Sequence, residues 1–488
     1  MKGIYVNTRL PDVPKVFSDT LMISEAAECF LSIHKPEYFY KTDNLSICGW
    51  FIYAGKLNNV LSLSEDVARH GVEAIKKIEF GVYSGLFTLN NETFFFQDKT
   101  GLNYHFIAKD NDKVFISPIL KGISDSIDLT VSEPHQSILN KRGHLFGKHT
   151  QYNEVTCLPP GAIVSLKAGE LLSQSQLGDM CKHKAEALDL IPNKIKSIVE
   201  YFPKEKRCLA LSGGFDSRLI LSQSSMQAGY CYGPENSADR PIARQFKDSF
   251  VNFYEFEFDK TKATQSDAEI LDCILESPKA YNDPQFVNAY SEASSLTQNS
   301  DFFFDGFLGD IYQRGTYLYF KGVVGELYRF FPSLYKLFPL DAKNLLRKRY
   351  ANLSADEFEL IYIDFINETA ELDLPDYNKV VIYDSFLARG RRLISNGALK
   401  LNGCFKEVVP VFMHPELHYT FSQQNYSDAV SFKSIKKIWR NVGSEFKNKR
   451  FENGYTFKTP SFLMPKVALF YRLLIHYVPG FQNYGTKK

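Results

Sequence analysis

The chain has 488 residues, enough for two or more domains with complete cores. Lys and Arg number 57 against 56 Asp and Glu, and a net charge of +1 excludes a global field that would draw the molecule to nucleic acid or anionic lipid. Eight scattered cysteines without a CxxC pair exclude a zinc knuckle or a disulfide framework and fit a reducing compartment.

The opening "MKGIYVNTRL" has no apolar run of signal-peptide length, and no segment reaches the roughly 18 apolar residues of a spanning helix. The best candidate, Met464 to Phe481, is broken by Lys466, Arg472, His476 and Pro479 and reads as an amphipathic packed helix. The expectation is a soluble, cytoplasmic protein with no membrane span and no nucleic-acid partner. Its 41 Phe and 28 Tyr are expected to serve the core.

In chain order, a helix is predicted near Ser64 to Lys77. Phe80 to Asp98 then gives two β-favouring runs around Asn90-Asn91, a hairpin signal. Tyr104 to Pro118 repeats it around Asp110 to Asp112, and Cys157 to Leu171 adds a turn and a third hairpin. Three hairpins predict an antiparallel sheet packed against helices.

The pattern changes near residues 170–180. From Cys181 the spacing is helical, followed by the strand "CLALS", a glycine turn and a helix predicted over Ser217 to Gln227. Strand-turn-helix recurs at Tyr230 to Phe246 and at Asp301 to Gln313, which predicts a doubly wound parallel sheet. Beyond Tyr317 the chain is expected to be mostly helical.

The turn "LSGGFDSR" carries the chemistry. Walker-type GxxxxGK[ST] and dinucleotide-binding GxGxxG patterns are missing from the sequence. Ser212, Gly213, Gly214 and Ser217 offer two hydroxyls and amides to a phosphate chain, and Asp216 offers a carboxylate. An acid at an anion-favouring helix start makes sense with a cation bound beside it. The plain alternative is a tight corner in which Ser217 caps the helix.

These residues resemble the pyrophosphate loop (PP-loop) of the asparagine synthetase family, and other stretches follow in order. Tyr230 to Phe258, with Gly233, resembles its second strand and following helix. Leu275 to Phe286 resembles its acidic-Pro segment, and Phe303 to Gly315, with Gly306, the stretch bearing its second metal aspartate, here Asp310. Lys406 to Leu417 resembles its valine-proline helix start, and Lys447 to Pro460 its C-terminal basic loop. "GLFTL", "DKTGLNYHFIA" and "LPPGAIV" resemble its glutaminase-fold domain.

The resemblance implies an α+β Ntn-hydrolase-like antiparallel sandwich over 1–175. Over 176–488 it implies an α/β doubly wound parallel-sheet domain, adenine nucleotide alpha hydrolase-like, with a helical C-terminal part. It implies a carbon–nitrogen ligase that uses ATP and Mg²⁺ to activate a carboxylate as an acyl-adenylate. Ammonia or a substrate amine would then attack. Asp216 and Asp310 would hold the metal, and Ser212, Gly213, Gly214, Ser217, Gly233 and Gly306 the nucleotide. The implied partner is a small-molecule, sugar-linked or peptide carboxylate, and a homodimer is allowed.

Departures from the family pattern matter as much. Met1 is followed by Lys2 and Gly3, and the first cysteine, Cys29, lies too deep to be the terminal glutaminase residue and reads as a buried thiol. No glutaminase activity is expected, as in the related β-lactam synthetases and lasso peptide cyclases. Phe307 stands where members carry Glu or Tyr, and Glu452-Asn453 precede Gly454-Tyr455 where members carry a lysine. Lys449, Arg450 and Lys458 are the available cations. In "ARGRRLISNG", Arg389, Arg391 and Arg392 read either as an exposed basic helix start or as forks for a carboxylate or phosphate. Catalytic roles are accordingly assigned to Arg450, Lys449 and Arg392. Phe307 and Glu452 also fit a second reading, a relative that binds nucleotide without chemistry as a scaffold or sensor. His414 and His418 have helical-pair spacing but read as a packed face.

Overall fold

The computed structural model describes residues 3–8, 19–24, 29–33, 38–179, 187–234, 237–257, 264–276, 285–314, 327, 331, 334 and 341–478. In chain order the strands of the first lobe are β1 (Gly3–Val6), β2 (Asp19–Ser24), β3 (Cys29–Ile33), β4 (Phe39–Lys41), β5 (Leu45–Tyr53), β6 (Lys56–Leu57), β7 (Phe80–Leu89), β8 (Glu92–Gln97), β9 (Phe106–Asp110), β10 (Lys113–Ser117), β11 (Val155–Cys157), β12 (Ile163–Ser165) and β13 (Leu171–Ser173).

They form two antiparallel sheets, β11-β9-β10-β1-β3-β2 and β13-β12-β8-β7-β5-β4, with β6 paired to β5. The three predicted hairpins are present but divided between the sheets, because each sheet presents one apolar face to the other. Ile4, Val6 and Ile116 of the first meet Cys48, Leu86 and Phe95 of the second. At the first hairpin, Asn90 and Asn91 both adopt positive φ, 52° and 63°, the geometry a two-residue turn between right-twisted strands needs. Helices α1 (Val60–His70) and α2 (Val72–Ile75) cover the outer face of the second sheet. They divide the predicted Ser64–Lys77 helix at Gly71, where φ is 54°.

Cys29 pairs with Val6 of β1, and β1 also pairs with β10. Processing of the chain at Cys29 would remove β1 from the middle of its sheet.

The second lobe carries β14 (Arg207–Ala210), β15 (Met226–Gly233), β16 (Phe250–Glu257), β17 (Phe302–Asp305) and β18 (Glu407–Pro410) in the order β16-β15-β14-β17-β18. Every neighbouring pair is parallel. "CLA" and "FFF" are continuously apolar because helices cover both faces of such a sheet. Its helices include α3 (Ile191–Glu200), α4 (Asp216–Leu221), α5 (Asp239–Ala243), α6 (Gly309–Arg314), α7 (Pro415–Ser422) and α8 (Met464–Tyr477).

Two expectations are corrected here. The helix predicted over Ser217 to Gln227 stops at Leu221, and Met226-Gln227 open β15, whose residues pair on both sides of the strand. The valine-proline stretch starts as β18 before α7 begins. Most of the acidic-Pro segment, 277–284, lies outside the described residues.

The lobes share a core. The Trp50 indole donates to the Val408 carbonyl at 2.9 Å and packs edge-on against Phe80 and Phe202. The six cysteines whose side chains are described are buried and unbridged. No helix among the described residues is long and apolar enough to cross a membrane.

Candidate functional site

In a doubly wound sheet the order of strands reverses where the chain leaves the centre, and the loops there diverge into a crevice at the strands' carboxyl ends. Here the reversal lies between β14 and β17. A cavity of about 600 Å³ opens at that point, walled by the ends of β14, β15 and β17. Ser212, Asp216, Ser217, Gly233, Gly306 and Asp310 all line it, residues up to about a hundred positions apart in sequence. Gly213 and Gly214 form the turn at its edge.

The turn is held from within. The Ser212 amide donates to Ser217 Oγ at 3.1 Å, and the two hydroxyls stand 3.2 Å apart. The Gly214 amide donates to Ser212 Oγ at 3.2 Å, and the Gly213 amide to Asp239 Oδ1 at 2.7 Å. The sequence predicts free amides here. Instead the Asp239 carboxylate holds one of them, in the place an anionic oxygen would take. Burial pushes the Asp239 pKa up, and the Gly213 hydrogen bond pulls it back.

Asp216 sits where two glycines admit it. A Cβ on Gly306 would come within 2.8 Å of Asp216 Cβ, and one on Gly309 within 2.6 Å of its Oδ1. Its carboxylate accepts from the Gln313 side-chain amide at 2.5 Å. Phe307 is buried in the same wall.

Among the described residues four carboxylates line the cavity, those of Asp216, Asp239, Asp305 and Asp310, and no Lys or Arg does. Desolvation raises the Asp305 pKa to about 6, against a lowering hydrogen bond from the Phe307 amide. Among the described residues no group of three or more His, Cys, Asp or Glu is arranged to hold a metal on its own. Two carboxylates beside space for phosphates suit Mg²⁺, which takes one or two protein carboxylates and completes its shell with phosphate and water. The residues therefore fit the ion.

The predicted catalytic cations lie elsewhere. Lys449 and Arg450 are exposed, outside the cavity wall, with the Arg450 guanidinium over the Tyr471 ring at 5.5 Å. Their carbonyls do the holding: both accept from Arg218, which also donates to Gly213 O at 3.2 Å. Arg218 is 0 % exposed, stacks on Phe451 at 3.8 Å, and has its pKa lowered to about 9 by burial. Phe215 stacks on Phe451 at 4.1 Å, and the Glu452 amide donates to Gly213 O at 3.0 Å. The C-terminal loop is thereby clamped to the glycine turn.

Arg391 and Arg392 are 0 % exposed, which overturns the exposed-helix reading for these two. The chain there is π-helical, over Gly390–Ile394 and Asn396–Leu401. Arg392 pairs with Glu276, Nε to Oε1 at 2.8 Å, and Arg391 donates to the carbonyls of Gly101 and Leu158. They join the lobes rather than line the cavity. His414 and His418 are packed, His414 against Phe80 at 4.9 Å and His418 against Phe386 at 4.4 Å.

Sequence reasoning missed Asp239, Asp305 and Arg218. The first two end or follow strands within stretches already singled out, where strand-end acids are the signal. Arg218 had none, because the carbonyls it clamps beyond its own turn, those of Lys449 and Arg450, are more than two hundred residues away.

A scan against protein-family models finds no match to this chain, and a search of curated proteins finds none either.

Proposed function

We propose that the chain is an ATP-dependent, AMP-forming carbon–nitrogen ligase. The observation that carries this reading is the convergence of the Ser212–Ser217 turn with Asp216 and Asp310 on one cavity at the switch point of a parallel sheet.

In this reading the hydroxyls of Ser212 and Ser217 and the amides of Gly213 and Gly214 face the phosphates, and the Asp239 carboxylate yields the Gly213 amide to the nucleotide. Four carboxylates without a lining cation among the described residues would repel a triphosphate, so nucleotide binding depends on divalent metal. Asp216 and Asp310 are the residues that would hold Mg²⁺, which when bound neutralises charge on the departing pyrophosphate.

A substrate carboxylate oxygen bonds to the α-phosphorus and pyrophosphate leaves. The amine then bonds to the acyl carbon, AMP leaves, and the nitrogen gives up a proton. Phe307 can accept none. Asp305, with its pKa near 6, is ionised at neutral pH and basic enough to take it. The favoured acceptor is a sugar-linked or peptide carboxylate, with ammonia or a substrate amine as nucleophile and no contribution from glutamine.

Incubation with Mg-ATP, ammonia and a panel of uronic acids and peptides should release pyrophosphate, not phosphate. Glutamine hydrolysis by the same sample would refute an inert first lobe. A second reading, a nucleotide-binding scaffold or sensor, is favoured by the burial of Phe307 and by the exposure of Lys449 and Arg450 away from the cavity. ATP binding without ATP–pyrophosphate exchange would select it.

A further inference from the structure

A second cavity, of about 390 Å³, lies at the seam between the lobes and, among the described residues, shares no lining residue with the first. The sandwich contributes Tyr83, Lys99, Thr100, Ser173 and Ser175, and the parallel lobe Phe386, Met413 and His418.

Gln97 and Tyr419 spend their donors on the Leu158, Pro159 and Asp179 carbonyls, but other polar groups of the wall have no hydrogen-bond partner among the described residues. His418 is 1 % exposed, yet neither ring nitrogen has a hydrogen bond to a described residue. Burial lowers its pKa to about 3, so the ring is neutral and presents one N–H and one lone pair. The half-buried Lys99 ammonium donates to no partner among the described residues; desolvation lowers its pKa, and Glu79 and Asp179 oppose that only through space. The hydroxyls of Tyr83, Ser173 and Ser175 likewise hold no hydrogen bond among the described residues. A buried polar group without a partner is costly, so the enclosed His418 ring, facing the same cavity as the half-buried Lys99 ammonium and three hydroxyls, marks a ligand's place.

We infer that this cavity binds a small hydroxylated monocarboxylate, of the size and chemistry of a sugar acid, bridging the two lobes. The Lys99 ammonium takes the carboxylate, and the hydroxyls of Tyr83, Ser173 and Ser175 with the His418 ring take the ligand hydroxyls. Phe386 and Met413 form an apolar wall for the carbon skeleton. One charge is the limit: Lys76, the other lining cation, is paired to Glu73 at 2.7 Å, and Asp179 also lines the cavity and disfavours a dianion. Nothing here requires nucleotide in the other cavity, so the two readings stand or fall separately.

The test is calorimetric titration of the full chain, without ATP, with D-glucuronate, D-galacturonate and D-gluconate, using glucose and inorganic phosphate as comparators. At least one sugar acid should bind and raise the melting temperature, while glucose and phosphate should not. Lys99→Met should weaken binding about tenfold or more, on the order of 1.4 kcal/mol. Ser173→Phe, a β-favouring side chain on an edge strand, should fill the space and abolish binding while the fold's circular dichroism is kept. If Lys99→Met does not fold, Ser173→Phe decides. Failure of all three acids to bind, phosphate binding as tightly as they do, or undiminished binding by Ser173→Phe would each overturn the assignment.

Discussion

The Gln313 side-chain amide donates to Asp216 Oδ1 at 2.5 Å, tying the first turn of α4 to α6 across the cavity. Asp310 stands on that same α6, three residues before Gln313. One hydrogen bond therefore links the helices that carry both candidate metal carboxylates. Gln313→Leu should cost about 1 kcal/mol of stability. It should weaken Mg-ATP binding by roughly tenfold, as expected when the partner that orients a ligating carboxylate is lost. Denaturant unfolding and fluorescence titration read the two effects separately.

Arg218 is expected to be the main clamp on the C-terminal loop. Arg218→Met would strip donors from the carbonyls of Gly213, Lys449 and Arg450, at a cost of about 3 kcal/mol or more. Arg218→Lys should recover little, since one ammonium cannot serve carbonyls spread along a planar fork. Limited trypsin digestion should cut the Met variant faster at the exposed Lys449 and Arg450; equal cutting of variant and parent would contradict the clamp.

Asp305 sets a pH dependence whose sign follows from its raised pKa. The folded protein holds this proton more tightly than the unfolded chain, so the contribution is fully present below 3.8 and lost as pH rises through about 6. The difference is worth roughly 3 kcal/mol. Asp305→Asn should therefore raise the melting temperature by a few degrees at pH 8 and leave it unchanged at pH 3. In the ligase reading the same variant should lose most of its amide-forming rate while retaining ATP binding.

The seam between the lobes depends on a buried ion pair. Glu276 is the carboxylate partner of Arg392, close to Lys400, whose pKa burial lowers to about 7. Glu276→Gln leaves these cations without compensation and should destabilise the chain by about 3–5 kcal/mol. The double change Glu276→Leu with Arg392→Met should recover only part, since the Arg392 charge is gone but Lys400 still lacks its carboxylate. Chemical denaturation of the three proteins checks the order.

Local rules made much of the fold readable. Asn90-Asn91 marked a two-residue turn because only a few residue types accept positive φ, and the apolar "CLALS" before Gly213 marked a central parallel strand. The end of α4 is not legible in the sequence, because no Gly or Pro closes the helix between Leu221 and Gln227, while β15 opens at Met226 and pairs there with β16. At the candidate site, residues in one turn, Ser212 to Ser217, were legible as a unit. Arg391 and Arg392 were not: nothing local distinguishes a basic helix start in water from one inserted between Gly101, Leu158 and Glu276. Lys449 and Arg450 stand out in the sequence for their charge, whereas the structure uses their carbonyls.

The central claim is that the cavity at the ends of β14, β15 and β17 binds ATP through metal held by Asp216 and Asp310. The most direct test is titration of the parent, Asp216→Asn and Asp310→Asn with ATP, with and without Mg²⁺. Each variant keeps the shape of the side chain but removes a charge, so each should bind Mg-ATP about tenfold or more weakly, on the order of 1.4 kcal/mol. The double variant should lose little beyond either single change, since both carboxylates serve one metal–nucleotide unit. Binding by both single variants that matches the parent would contradict the account and leave the Ser212–Ser217 turn as a structural corner.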